Sequence, residues 1–259
     1  MTDILMKKYH FIFDKTKKAK LLKKSFKKYR LYSIRKCDVI VVGGGDGFML
    51  RTIKKFYKIG KPFYGINCGT IGFLMNKFNN ISLHKRINKT KIFSINPIEA
   101  KVLNFKRRIS KMLAVNEISL LRQSKQTAIL KLQVNKNNLI KKLICDGVLV
   151  STPAGSTAYN LSVNGPILSL NSKKIVITPI SPFRPRRWKG KLISDKSKVI
   201  IQNIEATKRP VSVVADNYEV RNIKKIEVKV NKKIKINLLF DRGISLMKKI
   251  KQEQRKKIN

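Results

Sequence analysis

The sequence predicts an α/β N-terminal domain, with a parallel sheet and helices on both of its faces, followed by a β-rich C-terminal domain. In the first 96 residues, short β-branched or aromatic stretches alternate with stretches whose apolar residues recur at helical spacing. Beyond residue 96 the apolar residues instead alternate with polar ones, as in strands that bury one face. We therefore expect one domain over residues 1–96 and a second over 97–236. The tail, 237–259, is placed with the first domain, although no periodicity requires this.

The elements of the first domain follow from apolar spacing and from glycine or proline punctuation. The first helix has an apolar stripe that begins at Ala19 and ends at Tyr29, and its lysines form a solvated face. Alternating strands and helices produce a parallel sheet, whose ligands bind outside the carboxyl ends of the strands. Two glycine-containing segments, 43–47 and 67–73, lie at such ends. The expected strands are Tyr9–Phe13, 39–42 and 63–66, and the expected helices are 15–30 and 48–58.

In the second domain, polar turns separate the strands, and Asn135-Lys-Asn-Asn138 predicts a hairpin. The segment 153–167 is rich in proline, glycine and hydroxyl side chains, and it interrupts the strand pattern. The expected strands are 98–104, 111–122, 127–134, 139–144, 174–177, 198–201, 211–214 and 223–230.

Composition limits the classes of function. A chain of 259 residues with 42% hydrophobic residues can bury a substantial core. The 59 Lys and Arg against 14 Asp and Glu give a net charge of +45, which attracts nucleotides, nucleic acids and anionic lipids. Because the lysines spread over the whole chain with abundant Ile and Asn, we favour compositional drift over a dedicated binding surface, although both interpretations stay open. Acidic residues are scarce, so each one in an apolar or glycine-rich setting is a candidate for function.

The cysteine and histidine content and the length of the apolar stretches exclude further classes of function. Cys37, Cys68 and Cys145 are scattered without metal-binding spacing, and we expect reduced thiols in a cytoplasmic protein. With only His10 and His84, the sequence argues against a Ser-His-Asp triad and against a zinc site. No apolar stretch is long enough to span a membrane, and the N terminus lacks the apolar core of a signal peptide. We expect neither a membrane partner nor a metal site on the protein.

The most informative segment is Asp38-Val-Ile-Val-Val-Gly-Gly-Gly-Asp-Gly47, which precedes residues with helical spacing. It puts Asp46 at the carboxyl end of a buried strand, beside the unpaired amides of a helix start, a setting that binds anions. The glycines let a phosphate approach the main chain, and we expect the helix amides to keep Asp46 ionised at pH 7. The spacing matches neither the dinucleotide fingerprint nor a Walker loop. The alternative is a structural turn in which Asp46 merely caps the helix.

Two further segments have polar residues in apolar surroundings. Residues 146–162 run from a strand into a turn of small and hydroxylated side chains, which would offer a concave hydrogen-bonding surface to a nucleoside. Capping of a following helix by Ser156 or Thr157 is the structural alternative. Asn116-Glu117 lies inside an otherwise apolar strand, so one of the two must point inward or into a cleft. A carboxylate there needs a hydrogen-bond partner, and ribose hydroxyls would supply one.

Together these segments resemble the NAD kinase family, ATP-dependent enzymes that make NADP from NAD. The first motif, Gly44-Gly-Asp-Gly47, is shared with phosphofructokinases and with diacylglycerol and sphingosine kinases, whereas Ser151-Thr-Pro-Ala-Gly-Ser-Thr-Ala-Tyr159 is far more specific. Phe48 stands where many relatives carry Thr or Asn, and Ile144 stands where many carry Arg. The resemblance extends from the first strand to about residue 240, and its other carrying residues are Gly65-Ile-Asn67, 69–74, Asn116-Glu117 and 146–162.

The resemblance implies transfer of the γ-phosphoryl group of ATP to the adenosine 2′-hydroxyl of NAD, with Asp46 as the proton acceptor. Main-chain N–H groups of Gly44, Gly45 and Gly47 would face the ATP phosphates, and Arg51 would reach a phosphate or solvent. Mg²⁺ or another divalent cation would come with ATP. Inorganic polyphosphate stays open as the donor, and the resemblance implies a homodimer or homotetramer. The residues that family likeness assigns to bound NAD are Phe73, Asn116, Glu117, Asp146, Ala154, Thr157, Ala158, Tyr159, Asn160, Leu161, Ser162, Ser181 and Asn217.

Two other functions compete with this one. A lipid kinase with the same glycine-rich turn would not need the hydroxyl-rich residues 151–162. A basic nucleic-acid-binding protein without catalysis would need aromatic residues interleaved with lysines on one face, whereas the 8% aromatic residues fall mostly at apparent core positions. The basic turn that contains Arg184, Arg186 and Arg187 fits either triphosphate neutralisation or a surface or subunit contact.

Overall fold

A computed structural model describes residues 7–70, 72–79, 81–243 and 249–250. Its helices include α1 (Lys17–Ser25), α2 (Asp46–Phe56), α3 (Leu83–Asn88) and α4 (Tyr159–Ser162), with 3-10 turns at Tyr57–Ile59 and Gly155–Thr157. The strands are β1 (Tyr9–Phe13), β2 (Val39–Gly44), β3 (Phe63–Asn67), β4 (Lys91–Ile95), β5 (Ile98–Asn104), β6 (Ile109–Ala114), β7 (Glu117–Arg122), β8 (Ala128–Val134), β9 (Asn137–Cys145), β10 (Gly147–Ser151), β11 (Lys174–Ile180), β12 (Lys191–Ser194), β13 (Lys198–Asn203), β14 (Val211–Ala215), β15 (Tyr218–Val220), β16 (Ile223–Val230) and β17 (Ile236–Phe240). The chain divides into two compact units, residues 1–95 with 235–259 and residues 96–234. None of the described helices is long and apolar enough to cross a membrane.

The first unit contains a five-stranded sheet in the order β1-β2-β3-β17-β4. The first four strands of this order pair in parallel, and β4 pairs antiparallel with β17 at the edge. Adjacent residues of a strand point to opposite faces, and a Cβ built on Gly43 would lie 3.1 Å from Leu22 of α1. A Cβ built on the next residue, Gly44, would lie 2.7 Å from Phe48 of α2. The two helices therefore cover opposite faces, and the predicted α/β fold is confirmed.

The helices of this unit differ in length from the expected ones. Thr16 caps α1, because its Oγ1 accepts a hydrogen bond from the Ala19 amide at 3.3 Å. The helix ends at Ser25 rather than at residue 30, because Phe26 closes its last turn and the chain continues in turns. α2 begins at Asp46, two residues before the expected start, with Gly45 at the N-cap position.

The second unit consists of two six-stranded antiparallel sheets, as expected for a β-rich domain. Their strand orders are β12-β11-β10-β7-β14-β15 and β6-β5-β16-β13-β8-β9. Side chains of both sheets, such as Val148 and Val150 of one and Val199 and Ile201 of the other, form one buried cluster. The hairpin predicted at 135–138 joins β8 to β9, and two of its residues have positive φ, as a type I′ turn requires.

The predicted strand 111–122 is wrong, because the chain forms two strands there. β6 ends at Ala114 and β7 begins at Glu117, so that Val115 and Asn116 interrupt the pairing. β7 lies between β10 and β14, with Glu117 opposite Ser151 and Leu121 opposite Gly147. The break and the two ends of β7 are the features that organise the candidate site in this unit.

Candidate active site

The glycine-rich turn leaves open surface beside Asp46. Gly43 and Gly44 are buried residues of β2, where an added Cβ would lie 2.5 Å from Phe13 or 2.7 Å from Phe48. In contrast, a Cβ on Gly45 would meet nothing within 4 Å, and one on Gly47 would meet only Arg51, at 3.9 Å. The main chain at these two positions can thus be approached closely, as a phosphate would need.

Asp46 is held by backbone amides from the segment that follows β3. Its Oδ2 accepts a hydrogen bond from the Phe73 amide at 2.7 Å, and its Oδ1 accepts one from the Leu74 amide at 2.9 Å. Both carboxylate oxygens accept from amides outside α2, and Gly45 rather than Asp46 occupies the N-cap position, so the alternative that Asp46 merely caps the helix does not describe this carboxylate. Burial raises the pKa of Asp46, while the Leu74 and Phe73 amides and the charge of Lys249 oppose that rise. The expectation that amides of α2 keep the group ionised is wrong about the donors, which are the Phe73 and Leu74 amides, and ionisation at pH 7 stays a prediction.

The segment after β3 has a second charged partner. The Nζ of Lys249 donates to the carbonyl oxygens of Gly72 at 2.9 Å, Phe73 at 2.8 Å and Met75 at 2.6 Å. Burial lowers the pKa of Lys249 to about 8, although the charges of Asp46 and Asp241 act in the opposite sense. The sequence analysis missed Lys249, because it belongs to a basic tail without periodicity.

Arg51 and Phe48 lie on the open side of α2. Arg51 is exposed, and its guanidinium carbon lies 5.7 Å from the centre of the Phe48 ring. Phe48 also packs against Gly44, which explains how this position accepts a large apolar side chain. The Arg51 guanidinium stays available to an anion that approaches the glycine-rich turn.

In the second unit, Asp216 shapes the break between β6 and β7. Its Oδ2 accepts from the Val115 amide at 2.9 Å, and its Oδ1 accepts from the amides of Asn116 at 2.8 Å and Glu117 at 3.4 Å. Asn116 and Glu117 are each only 9% exposed. Among the described residues, none donates a hydrogen bond to the buried Oδ1 of Asn116. A buried acceptor of this kind is rare in folded proteins and fits a ligand donor.

The turn after β10 packs directly on Asn116. The amide of Thr152 donates to the Asn116 carbonyl oxygen at 2.9 Å, and Thr152 Oγ1 donates to Val115 and accepts from the Gly155 amide. A Cβ on Gly155 would lie 2.2 Å from the Asn116 carbonyl oxygen, so only glycine allows this approach. The structure thus brings the predicted Asn116-Glu117 pair next to the predicted hydroxyl-rich turn.

Within that turn, several polar side chains are committed to the fold. Ser156 Oγ donates to the Pro153 carbonyl and accepts from the Leu168 amide, so it does not cap a helix. Thr157 donates to Ala154 at 3.5 Å and does not cap one either. Asn160 is fully buried and bonds Ser156, Pro166 and Thr178, which holds the turn against β11. Of the other predicted residues, Ala154 is buried, Ala158, Tyr159 and Leu161 are half-buried, and Ser162, Ser181 and Asn217 are exposed.

Asp146 lies at the other end of β7. Its Oδ1 accepts from Arg122 Nε at 2.6 Å, and Arg122 also donates to the Ser124 carbonyl oxygen. Burial, followed by the charges of Asp146 and Glu117, raises the pKa of Tyr159. Tyr159 therefore lies within electrostatic reach of both ends of β7. Arg122 was missed by the sequence analysis because its partner is 24 residues away.

The basic turn after β11 attaches to β9. The Ile144 amide donates to the Arg184 carbonyl oxygen at 2.8 Å, and the Phe183 amide donates to the Ile144 carbonyl oxygen at 2.8 Å. The exposed guanidinium groups of Arg184 and Arg186 lie 5.4 and 5.5 Å from the centre of the Phe183 ring. Ile144 thus has its main chain paired with this turn.

Comparison with known proteins gives a consistent result. The family model described as the ATP-NAD kinase N-terminal domain matches residues 6–85, and that of the ATP-NAD kinase C-terminal domain matches residues 115–240. An NAD kinase from Hyphomonas neptunium is 45% identical over 227 residues, which cover 88% of this chain and 89% of the relative. An NAD kinase from Zymomonas mobilis is 40% identical over 248 residues, with 94% and 95% covered.

Solved structures show the same fold at lower identity. An NAD kinase from Archaeoglobus fulgidus in complex with ATP matches with a TM-score of 0.73 and 22% identity, covering 96% of this chain and 98% of that one. Yeast NADH kinase complexed with NADH matches with a TM-score of 0.71 and 23% identity, covering 86% of this chain and 67% of that one.

Proposed function

The chain belongs to the NAD kinase family, phosphotransferases that act on NAD with ATP, and we propose that Asp46 accepts the proton of the adenosine 2′-hydroxyl during transfer of the γ-phosphoryl group. One observation carries this assignment. Asp46 is a half-buried carboxylate at the end of a parallel strand, beside open glycine main chain, and burial raises its pKa. Ligands of parallel sheets bind at such strand ends.

The geometry of Asp46 suits a proton acceptor. A carboxylate has about four lone-pair sites, and the Phe73 and Leu74 amides occupy one on each oxygen. The remaining sites can accept a hydroxyl proton. A raised pKa brings the base closer to neutral pH, where general-base catalysis is more effective. Phosphoryl transfer through a loose transition state needs an oriented hydroxyl more than a strong base, which an aspartate fixed by two amides supplies.

We propose that NAD binds along β7. Residues of a strand rise roughly 3.3 Å each, so Glu117 and Arg122 lie about 17 Å apart. Asn116 Oδ1 and Glu117 offer acceptors for ribose hydroxyls at one end, and Asp146 offers an acceptor at the other. Tyr159, whose pKa is raised by burial and by the charges of Asp146 and Glu117 at the two ends of β7, would pack against the dinucleotide. The solved complex of the yeast relative with NADH supports a dinucleotide ligand.

We propose that the ATP phosphates lie against Gly45 and Gly47, with Arg51 as their counter-ion. The net charge of +45 would raise the local concentration of the nucleotide. The described residues contain no group of three His, Cys, Asp or Glu that could hold a metal, so Mg²⁺ fits this chain as an ion bound to the nucleotide itself. When bound there, Mg²⁺ neutralises charge on the phosphate oxygens.

Asp46→Asn tests the assignment. Removal of a general base reduces the rate by roughly 10²–10⁴-fold, and we expect kcat to fall within that range while the NAD dissociation constant changes by less than about threefold. Asp38→Asn is the matched control, because Asp38 precedes the same strand at its opposite end and its carboxylate accepts a hydrogen bond from the exposed amide of Lys8. Calorimetric NAD binding and coupled NADP formation supply the two readouts. An Asp46→Asn enzyme with more than a tenth of the wild-type kcat would rule out Asp46 as the base.

Neither competing function gains support, because the curated relatives and the structural neighbours are NAD kinases or an NADH kinase. The homodimer or homotetramer and the cytoplasmic location stay predictions. Analytical ultracentrifugation tests the former.

A further inference from the structure

Two successive peptide groups lie between Lys249 and Asp46. The group that joins Gly72 to Phe73 accepts from Lys249 Nζ at its oxygen, at 2.9 Å, and donates to Asp46 Oδ2 at its nitrogen, at 2.7 Å. The group that joins Phe73 to Leu74 does the same, with distances of 2.8 Å to Lys249 and 2.9 Å to Asp46 Oδ1. Each peptide dipole thus has a cation at its negative end and an anion at its positive end.

This arrangement couples the two charges. A hydrogen bond at the oxygen of a peptide group polarises the group and strengthens the bond that its N–H donates. Both bonds of each peptide are charge-assisted, which makes them stronger than neutral ones. The third bond of Lys249, to Met75 at 2.6 Å, uses the last of its three ammonium protons. All three ammonium protons of Lys249 are therefore donated to residues 72–75, the segment whose amides bind Asp46.

We propose that Lys249 is a positioning residue for Asp46, which it orients and keeps ionised through the two peptide groups of residues 72–74. The proposal rests on the role of Asp46 as proton acceptor given above. It assigns to the tail of the chain a part in the chemistry of the glycine-rich turn.

Of the two carboxylates that interact with Lys249, Asp241 already has other partners, so Asp46 is the one that Lys249 affects. Asp241 also faces Lys249, but it forms an ion pair with Arg86 and accepts a hydrogen bond from the Tyr64 hydroxyl at 2.9 Å. The Phe240 ring, with its centre 5.2 Å from Nζ, has no charge. Burial sets the pKa of Lys249 at about 8, so the ammonium form predominates at neutral pH. In that form it lowers the pKa of Asp46 against the effect of burial.

The distance between the Lys249 ammonium and the Asp46 carboxylate determines how far loss of Lys249 should shift the pKa of Asp46. Two hydrogen bonds and one peptide group separate ammonium and carboxylate by roughly 7 Å. At an effective dielectric constant of about 20, loss of the cation should raise the pKa of Asp46 by about one to two units. Because Asp46 must be ionised to accept a proton, the acid limb of kcat/KM should move to higher pH by the same amount.

Lys249→Met is the test, with Lys249→Arg as the variant that retains the charge. Lys91→Met is the matched control, since Lys91 is an exposed lysine of the same unit that also lies over an aromatic ring, that of Phe93. We expect Lys249→Met to lose about tenfold or more of kcat/KM on the acid limb and to regain most of it at alkaline pH, a recovery that a merely structural role would not produce. Lys249→Arg should restore much of the acid limb, and Lys91→Met should match the wild type.

A second measurement does not depend on turnover. Amide proton shifts of Phe73 and Leu74, followed by NMR against pH, report the ionisation of Asp46 directly. In the wild type these shifts should also respond near pH 8, where Lys249 titrates. In Lys249→Met the Asp46 transition should move upward.

An acid limb or an amide titration in Lys249→Met that superimposes on the wild type overturns the proposal. If Lys249→Met does not fold, the absence of any wild-type amide response near pH 8 overturns it equally. Failure of the Asp46 assignment gives a different pattern: Asp46→Asn stays active, while the amide titrations persist in the wild type.

Discussion

Replacing Asp216 with Asn tests whether the break between β6 and β7 exists to present Asn116 and Glu117. Asp216 has φ of 53°, a left-handed conformation that Asn adopts readily, so the change adds no backbone strain. It removes one acceptor of the carboxylate and puts an N–H₂ group opposite a backbone N–H. The perturbation therefore falls on the hydrogen bonds that fix the Val115 and Asn116 amides.

The structure sets the magnitude. The bonds from the Val115 and Asn116 amides to Asp216 are 2.9 and 2.8 Å long, and a hydrogen bond to a charged group contributes about 1.5–3 kcal/mol. Asn keeps one acceptor, and Asp216 is half-buried, so water moderates the loss. We expect the free energy of unfolding to fall by about 1.5 kcal/mol and NAD affinity to fall roughly tenfold, since the backbone that presents the Asn116 side chain is no longer fixed.

Calorimetric titration with NAD and urea denaturation measure the two quantities separately. Glu219→Gln is the matched control, because it removes from the adjacent strand β15 an exposed charge that forms an ion pair with the exposed Arg221. An Asp216→Asn protein that unfolds at lower urea but binds NAD within about twofold of the wild type would refute the reasoning. In that case Asp216 stabilises the β14–β15 hairpin without organising the ligand site.

Two further predictions concern residues that act on this site. Gly155→Ala should lower the free energy of unfolding by about 1–3 kcal/mol and weaken NAD binding. The reason is that the new Cβ would lie 2.2 Å from the Asn116 carbonyl oxygen. An unchanged urea midpoint would contradict this prediction. Arg122→Met should change the free energy of unfolding by no more than about 1 kcal/mol, since the side chains of Arg122 and Asp146 are each about a third exposed. It should nevertheless raise KM for NAD, because Asp146 can then rotate away. Steady-state kinetics with an unaltered KM would contradict this prediction.

Much of the first unit could be predicted because its signals are local. The run from Asp38 to Gly47 contains a strand, its end and a helix start within ten residues, so the position of Asp46 follows without tertiary information. The strands β4 and β17 were not predicted. Their pairing with each other, and that of β17 with β3, depends on chain segments more than 140 residues apart, which periodicity does not reveal.

The break at Val115 and Asn116 shows the limit of alternation as a signal. Residues 112–115 are all apolar and the polar pair Asn116-Glu117 follows them, but this local pattern does not place a break between two strands. The interruption comes from Asp216, whose carboxylate takes the amides that a continuous strand would pair. The scarcity of acidic residues could have pointed to Asp216, which lies next to the predicted ligand residue Asn217.

Both site carboxylates that the structure fixes most closely are bound by backbone amides, although the chain has 59 basic side chains. Phe73 and Leu74 amides hold Asp46, and Val115 and Asn116 amides hold Asp216. A lysine in direct contact with a carboxylate would lower its pKa and occupy the lone pair that a substrate hydroxyl needs. Amides instead orient the group with no net charge, and at Asp46 the Lys249 ammonium acts from one peptide group away. The excess of positive charge can therefore attract anionic nucleotides over the whole surface, while the proton acceptor keeps the raised pKa that burial produces.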